Sequence, residues 1–313
     1  MAKYNVSFNL QILGSGSATP MVGRHPTAQL LAVAEGRYLL DCGEGTQLRL
    51  LEYRRRFSTL RVVFISHLHG DHFLGLFALL STMSLQGRQE PLLVVGPPGI
   101  EEMVTTVGLH SQMQPGYAIT FVPIDTEAHA VVYEDALVRV WSLPMRHRVP
   151  CAGYLFEEQP RRARLLKEQL PPGLSAAELS QLAQGHDLPA DAATGRPALR
   201  HADVSVPAPA PRRYAFCSAT LYQPVLAELV RGVDLLYHEA TFLNELSARA
   251  AQTHHSTARQ AAEVARAAGV GRLLIGHFSS RYRQTEGHLQ EARAIFPNTD
   301  LATEGLEVAV GGE

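Results

Sequence analysis

The heptapeptide Ser66-His67-Leu68-His69-Gly70-Asp71-His72 decides how this chain folds and what it can bind. It follows Arg61-Val62-Val63-Phe64-Ile65, an unbroken apolar run of the kind a fully buried strand carries, so His67 opens a loop at a strand end and Asp71-His72 start the next helix. Histidines two and five residues apart, with an aspartate between them, converge only if that loop is tight. Gly70 supplies a backbone that permits it. Imidazole nitrogen and carboxylate oxygen suit zinc or manganese. Later histidines occupy matching places: His147 follows the strand-like residues 138–143, and His277 directly follows Leu273-Leu274-Ile275-Gly276. Taken singly, each reads as a hydrogen-bonded structural histidine; taken with the heptapeptide, both become ligand candidates. The expected grouping is His67, His69 and His147 around one metal and Asp71, His72 and His277 around a second. Such a pair polarises a phosphoryl oxygen and generates hydroxide near neutral pH.

The rest of the composition is that of an ordinary folded protein. Of 313 residues, 46 % are hydrophobic and 19 % charged, enough for a large core. No apolar run reaches the roughly 18 residues of a membrane span, and Met1-Ala2-Lys3-Tyr4-Asn5 has no charged-then-apolar leader, so no membrane partner and a cytoplasmic location are expected. Cys42, Cys151 and Cys217 are far apart and form no CxxC pair, which excludes a disulfide framework or a thiolate zinc site. A net charge of −2 excludes a uniformly basic nucleic-acid wrapper but leaves room for local cationic patches.

Period-two apolar runs predict strands at residues 6–13, 29–34, 37–41, 61–66, 130–143, 214–217, 233–237 and 272–275. Helical patterns cover 73–85, 99–108, 223–231 and 257–268, which makes the chain α/β. Residues 157–211 differ. They contain Arg161-Arg162-Ala163-Arg164, a helical stretch at 176–184 and Pro207-Ala208-Pro209-Ala210-Pro211, without a strand-like core pattern. A solvated insertion and an arm protruding from the body are both open readings.

Seven stretches distributed along nearly the whole chain carry a resemblance: Leu13-Gly14-Ser15-Gly16-Ser17-Ala18-Thr19-Pro20, Leu40-Asp41-Cys42-Gly43-Glu44-Gly45-Thr46-Gln47, Ser66 to His72, Gly96-Pro97-Pro98-Gly99, His238-Glu239-Ala240-Thr241-Phe242, His255-Ser256-Thr257, and Gly276-His277-Phe278-Ser279-Ser280-Arg281-Tyr282. The chain resembles ribonuclease Z, a transfer-RNA 3′-processing endonuclease of the metallo-β-lactamase superfamily. The heptapeptide alone specifies only the superfamily; His-Glu-Ala-Thr and His-Ser-Thr at this spacing specify the family. The resemblance implies an αββα sandwich formed by a single domain over residues 1–313, with an inserted arm at 157–211 that binds transfer RNA. It implies a zinc-dependent endoribonuclease that removes the 3′ trailer of precursor transfer RNA, two zinc ions with manganese as a substitute, and a homodimer. The implied ligands are His67, His69, Asp71, His72, His147 and His277. Asp71 would also accept a proton, His255 would aid proton transfer, and Ser256 and Thr257 would hold phosphate.

Physical reading of the later motifs supports part of this. His255-Ser256-Thr257 precedes a helical pattern, where hydroxyls and backbone amides serve either as an anion site or as a plain cap. His238 and Glu239, at a strand end, would brace the ligands. Two departures stand out. Where the family carries a metal-bridging aspartate, this chain has Ala219, which has no ligand atom and would impair cleavage and weaken the second metal site. The insertion lacks the family's Gly-Pro tip, leaving Arg161, Arg162 and Arg164 as its candidate phosphate contacts. Two alternatives follow: a metallo-hydrolase of a small phosphodiester or other ester, and a non-catalytic RNA-binding relative.

Overall fold

The computed structural model describes residues 7–311. They form two compact units, one comprising the chain up to Glu157 and from Arg212 onward, the other Glu158–Pro211.

Two seven-stranded sheets make up the larger unit. The first runs, in spatial order, Glu307–Ala309, Phe8–Gly14, Ala28–Val33, Gly36–Leu40, Leu60–Phe64, Leu92–Gly96 and Ile119–Pro123. The second runs Thr299–Leu301, Arg272–Gly276, Leu235–Glu239, Arg213–Cys217, Ala152–Glu158, Val138–Pro144 and Val131–Glu134. Successive side chains of a strand point to opposite faces. In the Leu60–Phe64 strand, Val62 and Phe64 enter the core between the sheets, with Tyr38, Tyr154, Phe156, Tyr214 and Phe216, while Val63 joins an outer layer under the helix Gly75–Leu85. Both faces are therefore covered, which is why the strand reads as an unbroken apolar run. The second sheet is covered on its outer face by the helix Ala258–Ala268, whose Ala261, Ala262, Ala265 and Ala268 form one buried stripe. This is the αββα sandwich of the metallo-β-lactamase fold.

Where the structure differs from the sequence reading, side chains explain it. Residues 130–143 are two strands rather than one, because the Asp135 carboxylate accepts hydrogen bonds from the amides of Leu137 and Val138 and turns the chain back. The helix expected at 223–231 shrinks to Leu226–Leu229. The helix expected at 73–85 is two pieces, Gly70–Phe73 and Gly75–Leu85, so Asp71 and His72 lie inside the first turn. Strands Leu92–Gly96, Ile119–Pro123 and Ala152–Glu158 were not anticipated. Residue 6, the expected start of the first strand, lies outside the described residues.

Gly75 makes the joint between those helical pieces possible. A Cβ there would sit 2.0 Å from the Gly43 carbonyl oxygen, a collision with rigid backbone. Gly75→Ala should therefore destabilise the fold by about 1–3 kcal/mol, the usual cost of overpacking. A thermal melt within error of the parent would contradict that.

The smaller unit has its own core. Arg164–Leu165 pairs antiparallel with Ser205–Val206, the helix Ala176–Ala183 starts at a Ser175/Glu178 capping box, and Leu182, Leu188 and Val204 are buried together. The absence of a core pattern in this segment thus reflects how few residues the core uses. Among the described residues, no helix is long and apolar enough to cross a membrane.

Candidate active site

Parallel pairing brings the chemistry-bearing strand ends to one level. In the second sheet, Cys217 is in register with His238 and His238 with Ile275, so Ser218, Glu239 and Gly276 emerge together. In the first, Leu40 pairs with Phe64, which places Asp41 beside Ser66. The sheets are joined at that point by the Tyr154 hydroxyl donating to the Ile65 carbonyl (2.6 Å) and the Ala152 amide donating to the Ser66 carbonyl (3.0 Å).

Two sets of donors result. His67 Nε2 and His147 Nε2 each lie 3.1 Å from His69 Nδ1. In the second set, His72 Nε2 is 3.0 Å from His277 Nε2, and both are 3.4 Å from Asp71 Oδ2. The structure therefore brings together the six residues expected as ligands, in the expected threes.

The opposite ring nitrogens are already committed. His147 Nδ1 donates to the His254 carbonyl (2.9 Å), His67 Nδ1 lies 3.0 Å from Ser66 Oγ, His72 Nδ1 lies 2.7 Å from Asp41 Oδ2, and His277 Nδ1 lies 2.9 Å from Thr241 Oγ1. With those N–H groups directed outward, the inward-facing nitrogens of the neutral rings present lone pairs. Lone pairs converging at this spacing are stabilised by a cation, so the residues present fit metal ions with nitrogen and carboxylate ligands.

Charge balance agrees at the first set. Burial lowers the pKa of His67 and brings His147 down to about 3, with neighbouring imidazoles contributing, so these rings stay neutral as ligands must. Burial works against charge on His72 as well, yet the Asp71 and Asp41 carboxylates override it and raise that ring to about 10, so this ring holds a second proton that a metal would have to displace. Asp71 is held well below the usual carboxylate range: burial opposes this, but the His72 and His277 rings prevail. Its Oδ2 also accepts from the Ala18 amide at 2.7 Å.

Glu239, fully buried, ties the site together. One oxygen accepts from the amides of Thr220 (3.0 Å) and Ser256 (2.9 Å) and from His255 Nδ1 (2.9 Å); the other accepts from the amide (3.0 Å) and hydroxyl (2.7 Å) of Thr241. Since the Thr241 hydroxyl donates to Glu239, it accepts from His277, and the carboxylate braces that ring through one intervening oxygen. Burial pushes Glu239 up, but His255 and His277 outweigh it and bring the group down to about 2. His255, with Nδ1 held, lines the site's cavity of about 420 Å³ beside His67, His69, Asp71, His72 and His277.

Several expectations are corrected. Ser256 and Thr257 are fully buried. The Ser256 hydroxyl donates to the Thr220 carbonyl, the Thr257 hydroxyl caps Gln260, and the Thr257 amide donates to the Gln260 side chain. With the Ser256 amide on Glu239 and the Ala258 amide on the Phe242 carbonyl, this helix start has no groups left for phosphate. His238 makes no hydrogen bond to a candidate ligand among the described residues: its Nδ1 donates to its neighbour's carbonyl at 2.7 Å and its Nε2 is buried without a hydrogen-bond partner. Arg161 grips Glu158 with both carboxylate oxygens at 2.9 Å, while Arg162 and Arg164 are exposed.

Sequence reading missed three groups. Asp41 accepts from the Ser66 amide (2.7 Å) and hydroxyl (2.9 Å) besides contacting His72, Thr241 relays Glu239 to His277, and the His254 carbonyl orients His147. Asp41 and Thr241 lie inside stretches already singled out, but nothing local reveals what they contact. Ala219 is buried between residues that serve the site: the Ser218 hydroxyl is 2.9 Å from Ser66 Oγ, and the Thr220 amide is on Glu239.

The outer brace can be tested separately from the ligands. Glu239→Gln should lower metal affinity or activity by about 10- to 100-fold, the usual effect of losing a partner behind a ligand. Equilibrium zinc binding checks this, and an unchanged constant would mean His277 is held without the carboxylate.

Comparison with known proteins places the chain. A family model described as anti-Pycsar protein Apyc1 matches residues 8–116, part of the first sheet and its helices. A curated relative named ribonuclease Z from Cytophaga hutchinsonii is 44 % identical over 300 residues, covering 96 % of this chain and 95 % of the relative. Another of that name, from Porphyromonas gingivalis, is 42 % identical over 303 residues, covering 96 % and 99 %. Among solved structures, the short form of human tRNase Z superposes with a TM-score of 0.70 at 23 % identity, covering 97 % of this chain and all of that one. The Bacillus subtilis metallo-β-lactamase fold protein YhfI gives 0.69 at 15 %, also with 97 % and full coverage. By sequence identity over almost the full length of both partners, this chain belongs to the ribonuclease Z family.

Proposed function

We propose that this chain is a metal-dependent endoribonuclease that removes the 3′ trailer from precursor transfer RNA by phosphodiester hydrolysis. The observation that carries the reading is the pair of donor sets, each with its inner atoms converging and, His69 apart, its outer nitrogens anchored, on a cavity that also holds His255. His67, His69 and His147 would hold one zinc ion, and Asp71, His72 and His277 the other, with manganese able to replace either. Ions bound there supply Lewis-acid polarisation of a phosphoryl oxygen and a hydroxide nucleophile near neutral pH.

The chain's own residues do the rest. Asp71, which lines the cavity, accepts a proton from the attacking group. His255, oriented through Nδ1 by Glu239, uses its other nitrogen to protonate the departing ribose oxygen. Residues 158–211 act as a second RNA-binding element, with Arg162 and Arg164 as exposed cations. The working enzyme is a cytoplasmic homodimer in this reading.

Labelled precursor transfer RNA and a small diester, bis(p-nitrophenyl) phosphate, test it together. Zinc-dependent release of an intact trailer, abolished by deleting residues 158–211 while diester hydrolysis persists, is the expected result. Diester hydrolysis with no RNA cleavage, before or after restoring aspartate at position 219, would replace it with a small-ester hydrolase. RNA binding without either activity, even with aspartate restored, would indicate a non-catalytic relative.

A further inference from the structure

The catalytic cavity is lined mainly by histidines and small or apolar residues, with carboxylates at Asp71 and Glu44. Among the described residues that line it, Arg148 is the sole Arg or Lys. Its side chain is exposed and takes part in no ion pair or hydrogen bond among those residues, unlike Arg24, whose guanidinium is spent on the carbonyls of Tyr282 (3.1 Å) and Arg283 (3.3 Å). The backbone that presents it is pinned on both sides. The Met145 amide donates to the Cys151 carbonyl (3.2 Å), the Arg146 amide to Thr220 Oγ1 (3.1 Å), and the Leu221 amide to the Arg146 carbonyl (2.8 Å). The ring of adjacent His147 is fixed on the His254 carbonyl.

An unpaired guanidinium on a fixed loop, next to a candidate metal ligand and inside the cleft, is arranged to receive an anion. Its planar fork matches two oxygens of a phosphate, and little loop ordering remains to oppose binding. We propose that Arg148 is a substrate-binding residue that clamps a non-bridging phosphate oxygen of the RNA strand lying in the catalytic cleft. This rests on the endoribonuclease reading above, and it assigns to one side chain in the cleft a role that Ser256 and Thr257, being buried, do not fill.

The test compares Arg148→Ala and Arg148→Lys in the zinc-loaded Ala219→Asp chain, using single-turnover cleavage of precursor transfer RNA and zinc content. The same substitutions in the unmodified chain are tested by salt-dependent binding of a single-stranded trailer oligonucleotide. Arg148→Ala is expected to weaken kcat/KM by about 10- to 100-fold, as for loss of a charge-assisted hydrogen bond. It should also make the log–log salt slope shallower by about 0.7, one single-strand phosphate contact, with zinc content unchanged. Arg148→Lys should recover part of the loss. An unchanged salt slope and unchanged kcat/KM would overturn the assignment, as would a parallel fall in zinc content, which would make Arg148 a support of the His147 loop instead. If the Ala219→Asp chain cleaves no RNA, the functional reading fails by itself. Oligonucleotide binding then still decides the role of Arg148, because an affinity and slope equal to the parent's would overturn it.

Discussion

Ala219→Asp should raise single-turnover cleavage of precursor transfer RNA by roughly 100-fold or more, the several kcal/mol that a correctly held metal pair supplies to a phosphoryl transition state. Asp71 is the only carboxylate in the two donor sets, so two divalent cations would share a single formal negative charge there. A carboxylate at position 219, between Ser218 on the Ser66 hydroxyl and Thr220 on Glu239, would add a second and offset the repulsion between two bound cations. Without it, mutual repulsion favours partial occupancy. Excess zinc or manganese should therefore raise the unmodified chain's residual activity. Folding should be little affected in the unmodified chain, because a buried alanine leaves no polar group unpaired. In the aspartate form without metal, the new carboxylate is buried at a site without a cation, so zinc should raise its melting temperature more than it raises that of the unmodified chain. Equal single-turnover rates at saturating zinc would show that the bridge is dispensable and that this chain is fully competent.

His67→Ala and His147→Ala should each reduce bound metal far below the parent's, with affinity at the first site falling more than 100-fold, beyond the range for an outer partner. Each leaves two donors where three converged, and no other His, Cys, Asp or Glu among the described residues joins that set. The two variants should differ in stability. His67 is fully buried beneath Ser66, so its removal opens a hole in the sandwich, whereas His147 is only half-buried on a pinned loop. Metal analysis beside a thermal melt separates these effects. Unchanged zinc stoichiometry in both variants would defeat the assignment, and zinc loss in His67→Ala that merely tracks unfolding would leave His147→Ala as the decisive case.

Much of this protein is legible in the sequence because some physical requirements are local. A strand buried on both faces must be apolar at every position, and Arg61 to Ile65 shows it. A tight turn that gathers three imidazoles and a carboxylate must contain those residues at short spacing, and His67 to His72 shows that. His147 and His277 were readable as ligand candidates because each follows a strand-like run. Residue types and order thus determined the layered α/β frame and the six donors as a set.

Tertiary structure alone decided what each side chain does with its hydrogen bonds. A histidine at a strand end looks the same whether its second nitrogen meets a carboxylate or solvent; only folding brings Asp41 to His72 across 31 positions and Thr241 to His277 across 36. A Ser-Thr pair before a helix reads equally as an anion site or a cap, and the choice fell to Glu239 and Gln260, which take both amides. The core of residues 158–211, built from a few leucines and a valine, is too sparse to impose a period on the sequence. Arg148 shows the converse: it follows the ligand candidate His147, yet nothing local tells that its side chain is unpaired, and only the closing of two sheet ends around one cavity places it in the cleft. Hydrogen-bond partners and cavity walls are contributed by segments far apart in the chain, so no local pattern of residues can specify them.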